Sequence, residues 1–255
     1  MRRILKYVII DIIKNKIVVF YTILIALFAW SAFGLEDNAS KGLLTLLNII
    51  LFVVPLFSVL FSTIYIYNSS EFVELLVSQP IKRNKIWNSL FAGLSISLSV
   101  SFLIGAGIPL LVYAEPRKAL MMIVVGVFVT LIFISLAFFS SILSRDKARG
   151  IGYSILLWLY FALLFDGLVL FLMFQLNDYP IEKMMVMISA LSPIDLSRIL
   201  MLLELDVSAM LGYTGAIFKQ FFGTSLGLVL TFFLLLLWIV VPYVISLRKF
   251  RVKDL

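Results

Sequence analysis

The amino-acid sequence predicts an all-α integral membrane protein with six transmembrane helices. Three observations support this prediction: 63% of the 255 residues are hydrophobic, 14% are charged, and the apolar stretches are spread evenly along the chain. Soluble domains are about 45–50% apolar, so this chain has too little polar surface to cover a core in water. The surplus apolar surface must face lipid, and a single membrane domain over residues 1–255 is the simplest organisation.

Six stretches are long and apolar enough to cross a hydrocarbon core about 30 Å thick. Barrel strands alternate polar and apolar residues over about ten positions, whereas these stretches are continuous, so we expect helices. Gly105, Gly107 and Pro109 in the third stretch permit a kink or close helix packing. The predicted spans are residues 17–35, 43–67, 86–114, 119–143, 151–176 and 225–247.

The distribution of basic residues predicts the orientation of these spans. Cytoplasmic loops of membrane proteins carry an excess of Lys and Arg. Of the 21 basic residues, fifteen lie at the two termini and in the loops after spans 2 and 4, and six lie on the opposite side. The sequence therefore predicts a bacterial inner-membrane protein with both termini in the cytoplasm. The net charge of +7 then reflects membrane topology and not binding to nucleic acid.

The sequence contains no cysteine and no histidine. These residues supply disulfides, thiolate chemistry, the commonest general base and the commonest metal ligand. An intramembrane protease with paired aspartates is also disfavoured, because Asp166 is the one acidic residue deep inside a predicted span. We therefore expect a protein that is not an enzyme and that holds no cofactor or metal of its own.

A short amphipathic helix is predicted in the cytoplasmic connection between spans 2 and 3. Ser69 or Ser70 can cap its start, and Pro80 is expected to end it, because the residue before a proline avoids helical geometry. One face is predicted to consist of Phe72, Leu75, Leu76 and Gln79, and the other of Glu71, Glu74 and Ser78. Lys82, Arg83 and Lys85 then anchor the chain at the anionic leaflet. The alternatives are an ordinary interfacial helix and a docking helix on which a cytoplasmic partner pushes.

The outer connection, residues 177–224, is predicted to contain a helical, re-entrant region before span 6. Ser192 can cap a helix with Pro193 at its first position and Asp195 at its third. Arg198 follows Asp195 by three residues, so the two side chains can meet on one helix face. Half-buried structural packing is one interpretation, and a gate that also receives an outer partner is the other. The candidate gate residues are Ser192, Pro193, Asp195, Arg198, Gly212, Tyr213, Thr214 and Gly215.

Asp166 lies deep inside span 5 of the predicted topology. A carboxylate in hydrocarbon costs several kcal/mol unless it is paired, hydrated or protonated, so such residues commonly have a function. The functional hypothesis places Asp166 on a translocation route. The structural alternative is a hydrogen bond from Asp166 to a Ser or Tyr on a neighbouring span.

The pattern Asn-Ser-x-Glu-x-x-x-Leu-Leu-x-Ser-Gln-Pro-Ile-x-Arg at residues 68–83 resembles the coupling region of ABC-2 type exporter permeases. The resemblance extends to the topology of the whole chain and implies the fold of type V ABC exporters. It also implies a homodimer with two copies of a nucleotide-binding ATPase subunit, which holds ATP and Mg. This chain has no Gly-x-x-x-x-Gly-Lys-Ser/Thr motif, so the ATPase must be a separate polypeptide.

Within the ABC-2 group, residues 191–200 and the downstream Gly-Tyr-Thr-Gly tract resemble NosY-type permeases, which serve maturation of the copper–sulfur centre of nitrous oxide reductase. The shared pattern is Asn/Ser-Pro-x-Asp-x-x-Arg. The resemblance implies a NosF-like ATPase, a periplasmic β-helical NosD-like partner and export of a sulfur-containing species. It also supports a role for Asp166. An ABC-2 exporter of a drug, lipid or gliding-motility component, or a scaffold without transport, are the alternatives.

The predicted orientation can be tested by thiol labelling in intact cells. The chain has no cysteine of its own, so each single-cysteine variant carries one thiol. Cysteines at Lys82 and Lys147 should resist a membrane-impermeant reagent, because both positions are predicted to be cytoplasmic. A cysteine at Lys183 should react. The reverse labelling pattern would contradict the orientation.

Overall fold

The computed structural model describes residues 2–36, 38–175, 187–205 and 225–252, and the regular secondary structure in these ranges is helical. Six of the helices are long and apolar enough to cross a membrane, which confirms the predicted number of spans: α2, α3, α5, α6, α7 and α9. The principal helices are α1 (Arg2–Ile13), α2 (Lys16–Gly34), α3 (Ala39–Asn68), α4 (Ser70–Val77), α5 (Arg83–Tyr113), α6 (Pro116–Leu143), α7 (residues 147–175), α8 (Pro193–Glu204) and α9 (Ser225–Val252).

Three of the spans begin at a polar capping residue. The side chains of Asn15, Asn38 and Asp146 precede α2, α3 and α7, and each accepts a hydrogen bond from the backbone N–H two residues later, at 2.9, 3.0 and 2.9 Å. These bonds satisfy backbone donors that have no partner inside the helix. Local sequence therefore sets where these spans start.

The central span of the bundle is α6, which packs against both α3 and α9. In the apolar 18-residue stretch of α6, 61% of the residues are buried inside the protein. The corresponding buried fractions are 22% for α7 and 17% for α9. The low values mean that α7 and α9 present most of their apolar side chains outward. In a membrane protein these outward faces contact lipid or another protein chain.

Many of the basic residues lie at one end of the bundle, which we call the basic end. Here α1, α4, the start of α5, the last turn of α6 and the last turn of α9 converge on one apolar cluster. Its fully buried members include Val8, Trp87, Phe138 and Phe250. A second, larger cluster fills the rest of the bundle and includes residues of α8. The short helices α1 and α4 are therefore packed against the ends of the spans.

A buried chain of hydroxyl groups joins three spans. Ser154 of α7 lies 2.7 Å from the Thr63 hydroxyl of α3 and 2.6 Å from the Ser140 hydroxyl of α6. Hydrogen bonds between transmembrane helices contribute about 0.6 kcal/mol each on average. The chain attaches α7, which is otherwise weakly buried, to the two most central spans.

Two spans contain a π-helical turn, at Leu103–Gly107 in α5 and at Tyr160–Leu164 in α7. Such turns insert one extra residue and change the direction in which later side chains point. In α5 the turn contains Gly105, whose Cα faces the backbone of α2: an added Cβ would lie 2.9 Å from the Thr22 carbonyl oxygen. The prediction that glycine here permits close packing is confirmed.

The Gly105→Ala substitution should destabilise the protein, because a backbone atom of α2 occupies the space that the new methyl group needs. Overpacking of this kind costs about 1–3 kcal/mol. Gly107→Ala is the matched control: it lies in the same turn, and its nearest neighbour would be 3.7 Å away. We expect a lower melting temperature in detergent for Gly105→Ala alone. Equal melting temperatures would contradict the close α2–α5 contact.

Candidate functional site

A short helix, α4, lies where the amphipathic helix was predicted, and it follows α3 after the single residue Ser69. Ser69 occupies the capping position, but its side chain makes no capping bond, because its backbone (φ −91°, ψ 8°) is not extended as capping requires. The helix ends at Val77, before Pro80 as predicted. Ser78 closes it through a backbone hydrogen bond to the carbonyl oxygen of Glu74, at 3.0 Å.

The buried face of α4 differs from the prediction. Val73 and Leu76 are buried and belong to the apolar cluster of the basic end, whereas Leu75 is 65% exposed and Gln79 is exposed. The assignment of Leu75 and Gln79 to the apolar face is therefore wrong, and Val73 was missed. Apolar residues occur on several sides of this short helix. The side that becomes buried therefore depends on where the core lies and not on the periodicity of the local sequence. Phe72 is half-buried.

The exposed face of α4 combines two carboxylates with one large apolar side chain. Glu71, Glu74 and Leu75 are all exposed, and Ser78 and Gln79 extend this surface into the following turn. Single exposed apolar side chains are normal on protein surfaces, so the composition of this surface permits a protein contact but does not by itself indicate one. We call this surface the α4 face.

Both ends of α4 are tied to other spans at the basic end. The Lys147 Nζ of α7 donates to Asn68 Oδ1 at the end of α3, at 2.7 Å. After α4, Arg83 Nη1 donates to the carbonyl oxygen of Arg251 in α9, at 3.2 Å, and Arg251 Nε donates to Asn84 Oδ1 at 2.6 Å. Displacement of α4 would therefore be transmitted to α7 and α9 as well as to α3 and α5.

A cavity of about 220 Å³ lies beneath α4. Ser70, Val73 and Glu74 of α4 line one side, and Trp87 of α5 and Phe250 of α9 line another. The rings of Trp87 and Phe250 stack at a centroid distance of 4.2 Å. A stacked aromatic pair thus forms one wall of the cavity, and the space between this wall and α4 is unfilled.

The helix start predicted in the outer connection is confirmed by α8. Ser192 Oγ accepts a hydrogen bond from the Asp195 N–H at 3.2 Å, and Pro193 takes the first helical position. The predicted pairing of Asp195 with Arg198 is also confirmed, with Arg198 Nη1 3.5 Å from Asp195 Oδ1. Gly212, Tyr213, Thr214 and Gly215 of the candidate gate lie outside the described residues.

Asp166 of α7 and Arg198 of α8 form an ion pair, with Arg198 Nη1 2.7 Å from Asp166 Oδ2. The Asp166 carboxylate also lies within hydrogen-bonding reach of Asp195. We call Asp166, Asp195 and Arg198 the charge cluster. The sequence hypotheses treated Asp166 and the Asp195–Arg198 pair as separate features, and the structure brings them together. The partner of Asp166 is therefore an arginine, and not the Ser or Tyr of the structural alternative.

The charge cluster has two carboxyl groups for one guanidinium. Burial, and then the neighbouring Asp166 carboxylate, raise the pKa of the Asp195 carboxyl above its usual range, and Arg198 opposes this shift. The side chains of Asp166 and Arg198 are each 32% exposed, so the pair is partly open to its surroundings. The Asp195 carboxyl therefore keeps its proton to a higher pH than an ordinary aspartate does.

Two features of the sequence point to the Asp166–Arg198 pair, but they do not by themselves identify Arg198 as the partner of Asp166. A carboxylate inside a span needs a cation, and Arg198 is the only arginine between residues 177 and 224. A second ion pair, between the exposed Arg117 of α6 and Glu204, lies at the other end of α8. The helix thus contacts α7 through Arg198 and α6 through Glu204.

Comparison with known proteins agrees with this architecture. The family described as ABC-2 family transporter protein matches residues 4–255. The "Probable ABC transporter permease protein NosY" of Pseudomonas aeruginosa is 25% identical over 177 residues, which cover 65% of this chain and 64% of that protein. Permeases of this family are membrane components that work with an ATPase partner. The chain belongs to the ABC-2 family of transporter permeases and is a multi-pass membrane component of a transporter rather than an enzyme.

Proposed function

We propose that this chain is the permease subunit of an ABC exporter in which two copies of the chain dock two ATPase subunits through the α4 face. The observation that supports docking is the division of α4: Val73 and Leu76 fasten it to the core, while Glu71, Glu74 and Leu75 point outward. A helix held in this way can receive a force from a partner and pass it to the spans.

The coupling step follows from how α4 is attached. Closure of the ATPase subunits on ATP would push on the α4 face. Because α4 lies between α3 and α5, and because its flanking residues bond to α7 and α9, the push would shift the ends of these four spans, which pack around the central α6. The unfilled space of about 220 Å³ beneath α4 gives the helix room to move. The permease itself would make no covalent change to its cargo.

The orientation that suits this mechanism puts the basic end in the cytoplasm of a bacterial cell, where ATP is available. The excess of Lys and Arg at this end supports the same orientation. The charge cluster then lies toward the outer side: Asp166 is nineteen residues after the start of α7, roughly 28 Å along the helix.

The translocation route would run along α7, at the contact between two copies of the chain. Its outward residues Leu163, Leu164 and Leu168 are exposed, and so is part of the Asp166–Arg198 pair. An ion pair that is one-third exposed is unfavourable against lipid tails and favourable against a second chain or a hydrated path. We therefore assign the charge cluster to the route and α8 to its outer gate.

The cargo that we propose is a sulfur-containing species for maturation of the copper–sulfur centre of nitrous oxide reductase. Its support is the similarity to a NosY permease together with the Ser192-Pro193-x-Asp195-x-x-Arg198 pattern at the start of α8. On this proposal the ATPase is NosF-like, and a NosD-like β-helical protein contacts the outer end. The start of α8, where Ser192 and Pro193 are buried against the spans, would transmit that contact to the charge cluster.

Replacing Glu74 or Leu75 with Arg should release the ATPase subunit without disturbing membrane insertion, because both side chains are exposed. A charge placed against a complementary protein surface costs several kcal/mol, so co-purification should fall at least tenfold by this order-of-magnitude argument. Ile13→Arg is the control: Ile13 is exposed at the basic end but belongs to α1. Unchanged co-purification and unchanged stimulation of ATP hydrolysis in both α4 variants would refute docking through α4.

Asp166→Asn should leave folding and dimerisation intact but impair transport-dependent maturation of the target enzyme. The amide keeps the shape of the side chain, and Arg198 retains Asp195 as a partner. Asp166→Leu should also lower stability, by about 1–3 kcal/mol, because it leaves polar groups without a partner. Arg117→Gln, which breaks the exposed ion pair of α8, is the control and should change little. Full activity of the Asn variant with failed assembly of the Leu variant would make Asp166 a structural residue only.

A further inference from the structure

A cleft of about 570 Å³ opens at the basic end, between the last turns of α6 and α9. Its basic side chains are Arg145, Arg248 and Lys249, and its apolar side chains are Ile142, Leu143 and Val252. The volume lies within the range of about 300–1,000 Å³ that is usual for small-ligand sites. The cleft adjoins the cavity beneath α4, with which it shares Ile142, Ser144 and Arg145, and none of its lining residues belongs to α4 or to the charge cluster.

The cleft is positively charged. Among the residues that the structure describes, no carboxylate lines it, and Arg248 and Lys249 form no ion pair. The basic side chains come from two different elements: Arg145 from the α6–α7 turn, and Arg248 and Lys249 from α9. The charges of Arg248 and Lys249 favour a group that carries negative charge.

The end of a helix normally disfavours anions, because its last carbonyl groups point outward. In α6 this effect is reduced by a neighbouring span. The Tyr67 hydroxyl of α3 donates to the carbonyl oxygens of Ser141 and Ser144, at 3.3 and 3.0 Å. The single hydrogen of the Tyr67 hydroxyl is thus shared between two carbonyl oxygens at the end of α6, beside the cleft.

The apolar side chains of the cleft favour anionic phospholipids over water-soluble anions. Leu143 is 46% exposed and Val252 is 82% exposed, both next to the basic side chains. A water-soluble anion gains nothing from these residues, whereas a phospholipid has an anionic head group joined to apolar chains. Each is the last described residue of a helix that is long and apolar enough to cross a membrane, so both lie at the ends of candidate spans.

We propose that this cleft binds an anionic phospholipid from the leaflet at the basic end. The head-group phosphate contacts Arg248 and Lys249, with Arg145 on the opposite wall, and the start of the acyl chains packs on Leu143 and Val252. Basic pockets between spans are known to receive anionic head groups. Because Arg251, in the same last turn of α9, bonds to Asn84 at the start of α5, the bound lipid would stabilise the junction that follows α4.

The test is binding of phosphatidylglycerol and phosphatidylcholine to the full-length chain in detergent, measured by native mass spectrometry. We expect phosphatidylglycerol to be retained and phosphatidylcholine to be lost. The double variant Arg248→Gln/Lys249→Gln should bind phosphatidylglycerol about 25-fold more weakly, since each basic residue near an anionic surface contributes about fivefold. Lys14→Gln/Lys16→Gln is the matched control: it removes two exposed lysines at the same end and should bind normally.

A second measurement uses the unaltered chain and so does not depend on the folding of any variant. A photoactivatable phosphatidylglycerol should cross-link to peptides that contain residues 142–145 and 248–252. Cross-linking spread evenly over the spans, or equal retention of both lipids, would overturn the proposal. Displacement of the lipid by millimolar inorganic phosphate would mean that the cleft recognises free phosphate and not lipid. Normal lipid binding with loss of the ATPase in the double variant would make the cleft an ATPase contact and also overturn it.

Discussion

Hydrocarbon offers no hydrogen-bond partners, so each backbone N–H and C=O group of a membrane-embedded segment must be bonded within the protein. This constraint explains why the spans of this permease are long helices, and several hydroxyl side chains inside them bond back to their own helix. Thr130, Thr231 and Ser154 each donate to the carbonyl oxygen four residues earlier, at 2.8, 2.8 and 3.1 Å. These bonds keep the hydroxyl groups away from the lipid-facing surface. Polar side chains that are not bonded within their own helix are therefore notable.

The charge cluster is the main departure among the described residues. A carboxylate that leaves water must be compensated, and here the compensation comes from α8, a helix too short to span the membrane. The pair therefore performs two tasks: it neutralises Asp166, and it fastens the outer helix to α7. Since the Asp195 carboxyl lies beside it with a raised pKa, protonation and pairing in the cluster are coupled. A partner that moved α8 would change which carboxyl group holds the guanidinium.

At the basic end, contacts around α4 join the ends of several spans. Buried Val73 and Leu76 hold α4 on the core, and hydrogen bonds tie its flanking residues to α7 and α9. The proposed lipid cleft lies on the far side of the same α9 turn. ATPase docking and lipid binding would therefore act on one set of helix ends. This arrangement gives a physical route by which the surrounding membrane could influence coupling.

Composition and charge alone determined the class of this protein, because apolar length and loop charge are local properties of the chain. The six spans, the helix before Pro80 and the start of α8 at Ser192 were all predicted from neighbouring residues, and the structure agrees. The face of α4 was not predictable: Val73 and not Leu75 is buried, since the core lies on that side. The sequence could suggest the pairing of Asp166 with Arg198 but not decide it, because the two residues are 32 positions apart and a π-helical turn just before Asp166 changes the direction of the later side chains. Sequence determines which segments enter the membrane, and only tertiary packing decides which side chains meet there, because contacts between helices depend on rotation and register that no single helix encodes.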